Sequence, residues 1–391
     1  MKLLVVSTWF PYPPTNGSKL RAYHLLKGLA AAHRVQLLTF AEPGEATADA
    51  VAALHSFCVS VRVVEGNPAK APSRLTLRGL LSETPRAYQQ GFHPEMQALV
   101  QQHAAAADAV VALQIPSSLY LRGLTVPTLL EELEVTSIVQ QCEQASGLAK
   151  WRRRLTVKKL AGFVSRLSRE LDHLTVVSAP EREAVIRMGC APTRVSVIPN
   201  GADPDDLDRP RPQALLPTVI YPGAPTYSPN LDASQWFART VWPTVRARRP
   251  EARFTVTGGT DGVDLGELPS TPGVEFVGFV PDVKPLIASS RVCVVPLRFG
   301  GGTRLKVLEA LALGTPVVAT TKAVEGLEVE HGRHVLIADT AEQFGAEVLR
   351  LFDDPALAAR LTAAGRELVQ HRYAWPQLAA RLGERLQEIA S

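Results

Sequence analysis

The sequence predicts an α/β protein made of two doubly wound parallel sheets, and three observations support this fold class. The chain has 391 residues, more than one hydrophobic core usually holds. Short apolar segments typical of buried parallel strands alternate with helical periodicity in both halves. Between the halves, Asp203 to Pro217 is rich in proline and aspartate and lacks periodicity, so it is the expected linker.

The domain boundary follows from that linker. We expect one Rossmann-like domain over residues 1–203 and a second over residues 204–375, facing each other across a cleft. Leucines at helical spacing continue through residues 376–391, and this helix is expected to pack back on the first domain.

The composition is that of an ordinary globular protein. A hydrophobic content of 46% with 20% charged residues excludes disorder, and a net charge of +4 is too small to indicate nucleic acid. Four widely spaced cysteines without a C-x-x-C pair predict reduced thiols in the cytoplasm, and neither a zinc site nor a disulfide framework. The apolar start is too short for a signal peptide, and no run reaches the ~18 residues of a membrane span. We expect a cytoplasmic protein that at most touches the inner face of a membrane.

The first domain opens with a strand, a helix and a second strand, an order that predicts parallel pairing. The strands are Leu3–Val6 and Val35–Phe40, and Ser18 is expected to cap the helix, which runs to Ala30. The residues expected to face the core are Leu20, Tyr23, Leu26 and Leu29. Ligands bind at the carboxyl edge of such sheets, so the turn before the helix is a potential cleft, with a plain turn as the alternative. That turn contains Tyr12, Asn16, Gly17 and Ser18.

The alternation continues through both domains. Further strands are predicted at 59–64, 109–113, 126–130, 174–178, 195–201, 218–223, 253–257, 274–279, 292–297 and 316–320. Further helices are predicted near 47–55, 94–105, 231–247, 283–289 and 341–352. The irregular, polar stretch 72–93 is expected to be a surface loop.

A strongly basic amphipathic helix is predicted near residues 150–169. Its basic residues leave two interpretations open: a solvated face on a helix that packs on its own sheet, or attraction to anionic lipid at ~1 kcal/mol per cation. The apolar residues that share its other face are Trp151, Leu155, Leu160, Phe163, Val164, Leu167 and Leu171.

The most informative stretch is a glycine run, residues 300–302, that opens a helix between two predicted strands. Three glycines allow close approach of a ligand, and the helix start presents unpaired N–H groups with a partial positive charge. Arg304 and Lys306 add cations in a turn where the helix dipole disfavours them, so an anion would relieve both. The run predicts an anion site, with a flexible turn before a buried helix as the alternative. It is not a P-loop, because no Gly-Lys-Ser/Thr closes it, and it lies too late in the chain for a dinucleotide fingerprint.

With these segments assembled, the chain resembles the retaining glycosyltransferases of the GT-B fold, glycosyltransferase family 4 (glycosyl transferases group 1), in the branch with a Gly-Gly-Gly-Thr-Arg sequence. The resemblance covers essentially the whole length and is most specific in the second domain. The segments that carry it are 10–14, 23–26, 197–203, 300–316, 326–327, 334–339 and 373–375.

The resemblance implies a nucleotide-sugar donor held mainly by the second domain and an acceptor held mainly by the first. By position, Glu309 matches the glutamate that binds the donor ribose, and Arg304 and Lys306 would stabilise the departing diphosphate without a metal ion. Phe279 and Val280 match the residues beside the base. The full set of donor-binding positions comprises Gly17, Gly223, Asn230, Phe279, Val280, Gly300, Gly301, Gly302, Thr303, Arg304, Leu305, Lys306 and Glu309.

The chain departs from the family pattern at three places. Gly301 stands where many members have a second glutamate, and residues 224–230 lack the basic pair that often follows the second domain's first strand. Acidic residues stand near Leu130, where members often have a histidine. Glu132 is therefore a candidate catalytic residue: Glu132 or Glu134 would face the reacting sugar or orient an acceptor hydroxyl, with an acidic helix start as the alternative.

The function implied is that of a metal-independent hexosyltransferase without a cofactor. It would move a sugar from a nucleoside diphosphate to a hydroxyl with retention, in glycan, polysaccharide or glycoconjugate biosynthesis, and its domains would close over the substrates. Expected partners are the nucleotide sugar and a glycan, lipid-linked, protein or small-molecule acceptor, with no nucleic acid. Two alternatives remain: a non-catalytic sugar-nucleotide binder, supported by Gly301 and the missing histidine, and a sugar-nucleotide epimerase on the same fold.

Overall fold

A computed structural model of the chain describes residues 1–66, 92–136, 138–139, 148–212, 216–300 and 304–391, with backbone only for 148–153. Its strands are β1 (Lys2–Ser7), β2 (Arg34–Ala41), β3 (Ser60–Glu65), β4 (Ala109–Leu113), β5 (Thr128–Glu131), β6 (His173–Val176), β7 (Val195–Val197), β8 (Thr218–Pro222), β9 (Arg253–Thr257), β10 (Val274–Gly278), β11 (Val292–Val295), β12 (Val317–Ala319) and β13 (Leu336–Ile337). Its α-helices are α1 (Gly17–Ala32), α2 (Ala48–His55), α3 (Pro94–Ala104), α4 (Leu148–Glu170), α5 (Ala179–Arg187), α6 (Ser228–Trp236), α7 (Trp242–Arg248), α8 (Lys284–Ala288), α9 (Leu305–Ala312), α10 (Ala341–Asp353), α11 (Pro355–Leu368) and α12 (Trp375–Ala390). Most of the expected loop at 72–93 lies outside the described residues.

The chain divides into two compact units, each built on one parallel sheet. Unit 1 comprises Met1–Pro199 and Trp375–Ser391, and unit 2 comprises Asn200–Ala374. The strand order is β3-β2-β1-β4-β5-β6-β7 in unit 1 and β10-β9-β8-β11-β12-β13 in unit 2. In both sheets the order reverses beside the first strand, which is the doubly wound arrangement predicted from the alternation of strands and helices.

In unit 1 the first helix differs from its prediction in its cap and in its inner face. The cap is Asn16, whose side chain accepts a hydrogen bond from the Lys19 backbone N–H at 3.0 Å, and not Ser18. The buried side includes Arg21 and Leu25, whereas Leu20 is only half-buried. Leu26 and Leu29 are buried as predicted, and Arg21 forms a buried ion pair with Glu131, the last residue of β5.

Helix α4 packs its apolar side into the core of unit 1, as a helix lying on its own sheet does. Phe163, Val164 and Leu167 are fully buried there. Leu155, expected on the same face, is instead half-exposed, because it lies in the N-terminal part of the helix, before the residues that reach the core. The side chain of Trp151 lies outside the described residues.

Helix α12 belongs to unit 1 and packs against α1. The imidazole of His24 stacks on the Trp375 indole with ring centroids 5.5 Å apart. Gly28 permits close contact, because a Cβ there would lie 2.3 Å from the Ala379 Cβ.

In unit 2 the helix expected over 231–247 is interrupted. A π-helical turn, Phe237–Val241, separates α6 from α7. Pro243 lies two residues after it, in the first turn of α7. Proline has no N–H to donate, and its ring would clash with the carbonyl four residues earlier. The widened turn accommodates both effects.

The stretch expected to be a linker lies inside unit 2. Its short 3-10 helix, Pro204–Asp206, buries the Asp206 carboxylate, which forms an ion pair with Lys284 at 2.9 Å. This ion pair connects the segment to α8 of the same unit. Residues 213–215 lie outside the described part of the chain.

Candidate functional site

The sheet of unit 2 brings two loops together at the point where its strand order reverses. Strands β8 and β11 pair in parallel, so the segments that follow them start at the same edge of the sheet. Gly223 follows β8, and Gly300 lies in the segment after β11. In doubly wound sheets this edge is the usual ligand site.

Lys306 reaches from α9 to the end of β8. Its Nζ donates to the Asn230 Oδ1 at 2.9 Å and lies 3.2 Å from the Tyr221 hydroxyl. The same ammonium lies 4.4 Å from the centroid of the Tyr221 ring, within cation–π distance. The Tyr221 hydroxyl is also 2.8 Å from Asn230 Oδ1, so the three side chains form one cluster.

Gly223 creates the space for this ammonium. A Cβ at position 223 would lie 2.6 Å from Lys306 Nζ and 3.0 Å from Asn230 Cγ. Real Cβ atoms are essentially never so close to other heavy atoms, so any larger residue would displace the lysine. The structure thus brings Gly223, Asn230 and Lys306 into direct proximity.

Burial lowers the pKa of Lys306 to about 7, and the positive charge of Arg304 acts in the same direction. The cluster around Lys306 supplies neutral oxygens and a ring face, which compensate only part of the hydration that the ammonium loses. An anion bound beside Lys306 would favour its charged form.

Arg304 contacts Gly300, the first residue of the glycine run. Gly300 has φ +109°, a conformation open to glycine, and its carbonyl accepts a hydrogen bond from Arg304 Nη2 at 2.7 Å. Arg304 is the N-cap of α9 and is buried, and Leu305 begins the helix half-buried. Gly301, Gly302 and Thr303 lie outside the described residues.

Glu309 lies one helical turn beyond Lys306. Burial raises its pKa to about 7, and Asp206 and Asp282 add to the rise, whereas Lys284 and Lys306 oppose it. The Asp206–Lys284 ion pair is therefore part of the electrostatic surroundings of Glu309.

Phe279 and Val280 follow β10, two strands away from β8 in the same sheet. Phe279 is 71% exposed, unusual for a large apolar side chain, whereas Val280 is half-buried. They share the sheet edge with Lys306 but belong to a separate loop.

Unit 1 has a strained pair at the corresponding edge of its own sheet. Gln114 (φ 64°, ψ 157°) and Glu132 (φ 64°) are the two non-glycine residues with positive φ among those described. They directly follow β4 and β5, which pair with Leu113 opposite Glu131. Gln114 occupies a region that is essentially restricted to glycine, where such residues cost of order 1–3 kcal/mol.

Glu132 has an unusual electrostatic environment. Burial raises its pKa to about 8, opposed by Arg21 and reinforced by Glu131 and Glu134. Arg21 is fully buried and forms an ion pair with Glu131, and its guanidinium also donates to the carbonyl oxygens of Ile198 at 2.8 Å and Pro199 at 2.9 Å. The arginine is thus fixed by other acceptors, and Glu132 lies beside a neutralised pair.

Gly17 and Glu134 complete the predicted positions. Gly17 is the exposed first residue of α1, and Glu134 is half-buried. Both belong to unit 1, whereas the Lys306 cluster belongs to unit 2.

Sequence reasoning missed Tyr221, Gln114 and the Arg21–Glu131 ion pair. Tyr221 and Gln114 each lie at the carboxyl end of a strand, the same signal that selected Gly223, and a buried tyrosine needs a partner for its hydroxyl. The ion pair gives no local signal, because its two residues are 110 positions apart.

Among the described residues, no group of three or more His, Cys, Asp or Glu side chains is arranged to hold a metal ion. Within the same residues, no helix is long and apolar enough to cross a membrane. Cys58, Cys190 and Cys293 are buried free thiols, and Cys142 lies outside the described part.

Two family models match the chain and together span most of it. Residues 15–206 match the model described as Glycosyltransferase Family 4, and residues 216–354 match Glycosyl transferases group 1. The chain belongs to this glycosyltransferase family, as its motifs predicted.

Curated relatives and solved structures agree with that assignment. The D-inositol 3-phosphate glycosyltransferase of Rhodococcus opacus is 27% identical over 241 residues, which cover 54% of this chain and 52% of the relative. A GDP-mannose-dependent alpha-(1-6)-phosphatidylinositol monomannoside mannosyltransferase of Mycobacterium tuberculosis is 29% identical over 160 residues, 37% of this chain and 42% of the relative. The matched regions thus span about half or less of these relatives' length.

The solved structures show the fold. Anabaena HepE, crystallised with UDP and glucose, has a TM-score of 0.67 and 18% identity over 99% of this chain and 100% of that one. Sucrose-phosphate synthase from Thermosynechococcus elongatus has a TM-score of 0.69 and 19% identity over 100% and 99%. With two Rossmann-like units, this chain has the GT-B fold.

Proposed function

We propose that the protein transfers a sugar from a nucleoside-diphosphate sugar to an acceptor hydroxyl with retention. The observation that carries this proposal is the Lys306 ammonium, held by Tyr221 and Asn230 at the edge where the loops after β8 and β11 meet. The chain lacks the basic pair of the first loop of unit 2, and Lys306 reaches that loop from α9. In this way one lysine supplies the positive charge where a diphosphate would lie.

The two ends of the donor follow from this placement. Lys306 would bind the diphosphate, and Arg304 donates to the carbonyl of Gly300 at the start of the glycine run. Glu309, one turn further along α9, would bind the ribose hydroxyls, and the exposed Phe279 ring would contact the base. UDP is the ligand named for the solved HepE structure, so a uridine nucleotide is the first donor to test.

In the reaction, the bond between the sugar C1 and the β-phosphate oxygen breaks, and its electron pair leaves with the nucleoside diphosphate. A new bond forms between C1 and the acceptor oxygen on the same face, and the acceptor proton passes to the departing phosphate oxygen. Lys306 would stabilise the negative charge that develops on the phosphate. Because this cation performs that task, we propose that no metal ion is required, so activity should survive EDTA.

The acceptor would be a hydroxylated molecule bound by unit 1. The curated relatives are named for inositol phosphate and for phosphatidylinositol mannosides, which are hydroxylated rings. We propose a hydroxylated ring that carries no phosphate at the position bound by unit 1, free or as part of a glycan or lipid, with Glu132 beside a hydroxyl of the acceptor or of the transferred sugar.

The experiment that tests this function has two stages. Thermal-shift measurements against a panel of nucleotide sugars identify the donor, since a ligand that binds the folded state raises the melting temperature. Release of nucleoside diphosphate is then measured with and without candidate acceptors. Release that depends on the acceptor, with a glycoside product of retained configuration, supports the proposal. Donor binding without release would indicate a non-catalytic binder, and a changed sugar without acceptor would indicate an epimerase.

We propose that the outer side of α4 contacts an anionic membrane. Lys158 is exposed one turn from the half-exposed Leu155, and Arg169 is exposed near the C-terminal end of the same helix. Exposed cations beside an apolar side chain suit a surface of anionic lipid headgroups.

A further inference from the structure

The strained pair in unit 1 lies at the edge where the strand order of that sheet reverses. Gln114 follows β4, and β4 pairs with β1 at the reversal point. Glu132 follows β5, the next strand. Strained backbone at two adjacent strand ends persists only where surrounding contacts hold it, and such strain concentrates at ligand sites.

Backbone contacts fix both residues in place. The Gln114 N–H donates to the Glu131 carbonyl at 3.0 Å, and its own carbonyl accepts from the Ser117 N–H at 3.2 Å. The Glu132 N–H donates to the Thr175 hydroxyl at 3.3 Å. The two side chains consequently point at each other, with Gln114 Nε2 at 3.4 Å from Glu132 Oε2.

One polar atom of the pair lacks a partner. Gln114 is 8% exposed, and its Oε1 makes no hydrogen bond to any residue that the structure describes. A buried carbonyl oxygen without a donor is costly, and a ligand hydroxyl would supply that donor.

The charges around the pair select the kind of ligand. The polar groups around Glu132 are Glu131 and Glu134 on the same segment, Arg21 on α1, Gln114 after β4 and Thr175 on β6. Arg21 already donates to Glu131 and to two backbone carbonyls. Three carboxyl groups beside a fully engaged guanidinium disfavour an anion and suit an uncharged hydroxyl.

We propose that Gln114 and Glu132 form a hydroxyl-binding pair that holds an uncharged carbohydrate ring and discriminates against a phosphorylated position on that ring. This inference rests on the proposed glycosyl transfer. The ring is either the acceptor or the sugar being transferred, since both present hydroxyls, and the experiment separates these two sources.

The variants are Gln114→Leu and Glu132→Leu, which remove the polar groups, Glu132→Gln, which keeps a neutral donor and acceptor, and Gln101→Leu on α3 as the surface control. Acceptor KM is measured at saturating donor, and Kd is measured for the nucleotide sugar and for the free nucleotide. We expect each leucine variant to weaken ring binding about tenfold, with most of that loss recovered in Glu132→Gln.

The pattern of losses identifies the ring. A higher acceptor KM with unchanged nucleotide-sugar Kd assigns the pair to the acceptor, and weaker nucleotide-sugar binding with unchanged nucleotide binding assigns it to the transferred sugar. Less than twofold change in every constant overturns the proposal. The proposal is also overturned if the wild-type protein prefers the phosphorylated form of the ring and the leucine variants bind that form more weakly.

A second measurement separates binding from structural support. Glu132→Gly relieves the positive φ, so the melting temperature should rise by about 2 °C while ring binding is lost. A lower melting temperature with intact ring binding would show a structural role and overturn the proposal. If no transfer is detected with any donor, calorimetry with neutral monosaccharides on the same variants still tests the pair, so its failure is distinguishable from failure of the proposed function.

Discussion

The two sheets carry opposite chemistry at equivalent edges. At the reversal point of unit 2, the cation of Lys306 is held by Tyr221 and Asn230, and a glycine supplies the space. At the reversal point of unit 1, the acids Glu131, Glu132 and Glu134 cluster around Arg21, and two non-glycine residues adopt positive φ. At both edges burial moves a pKa toward 7. It lowers the pKa of Lys306 and raises the pKa of Glu132.

Under the proposed function, one architecture would bind two kinds of substrate. A cation whose charge is poorly compensated suits a phosphate, whereas a protonated acid beside an amide suits a hydroxyl. The fold determines where ligands bind, and the side chains at the strand ends determine which ligands. Removing one group at a time from each edge tests this contrast.

The largest effect is expected for Lys306→Met, which removes the cation from unit 2. Nucleotide-sugar turnover should fall about 100-fold, ~3 kcal/mol, the scale found for removing one donor from a developing charge. Steady-state kinetics measures it, with Lys322→Met, a lysine paired with Glu325 in the same unit, as the control. Equal turnover in the two variants would show that Lys306 does not belong to the donor site.

Gly223→Ala should weaken the same site without removing its charge. The added Cβ would displace the Lys306 ammonium, so we expect nucleotide affinity to fall about tenfold, the loss of roughly one charge-assisted hydrogen bond. Gly259→Ala is the matched control, because its Cβ would meet nothing closer than 3.9 Å. Calorimetric titration with nucleoside diphosphate decides between them, and unchanged affinity in Gly223→Ala would contradict the placement of the ammonium.

Binding of the nucleotide should depend on pH through Lys306. Its pKa of about 7 leaves it charged below that pH and neutral above it, and a bound diphosphate favours the charged form. Affinity should therefore be highest below pH 7 and decrease by up to tenfold per pH unit above it. Titrations in buffers of different ionisation enthalpy should show proton uptake on binding at pH 8, and none in Lys306→Met. Proton release would refute this.

Glu132→Gln should change how the stability of unit 1 depends on pH. Folding raises the pKa of this acid from 4.5 to about 8, so the folded state holds the proton more tightly. The contribution of protonated Glu132 to the stability of the wild-type protein is complete below pH 4.5 and decreases as the pH rises to about 8. The amide does not titrate, so at pH 8.5 the variant should melt roughly 10 °C above wild type, with a smaller difference at pH 4.5. Parallel melting curves across that range would contradict the raised pKa.

The smallest effect concerns the membrane. Lys158→Gln on α4 should reduce partitioning to anionic vesicles about fivefold at low salt, equivalent to ~1 kcal/mol. Lys27→Gln, an exposed lysine on α1, is the control, and flotation measures both. Absence of wild-type flotation at low salt would end the membrane proposal.

The sequence predicted the framework more completely than the contacts. Strands β4 and β9 were both predicted to the residue. Strand β4 is a continuous apolar run, which is typical of a buried parallel strand. In β9, Phe254 and Val256 alternate with threonines, a strand-favouring pattern. The prediction of Ser18 as the cap of α1 was wrong, because Asn16 and Ser18 have similar capping preferences and tertiary contacts decide between them.

The candidate site was predicted where a local pattern exists and missed where only the fold creates the contact. Gly223, Lys306 and Asn230 were selected from sequence, but their meeting requires β8 and β11 to pair. The positive φ of Gln114 and Glu132 has no local signature, because neither residue type favours it. Such strain arises from the three-dimensional surroundings.

The course of the chain between its units also has a consequence for synthesis on the ribosome. Unit 1 is interrupted, since unit 2 is inserted as one continuous segment between Pro199 and Trp375. The face of α1 around Gly28 can be covered by α12 only after unit 2 has been translated. The N-terminal unit should therefore be the later one to reach its native state, and a nascent chain truncated before Trp375 should protect the amides of unit 2 but not those of α1.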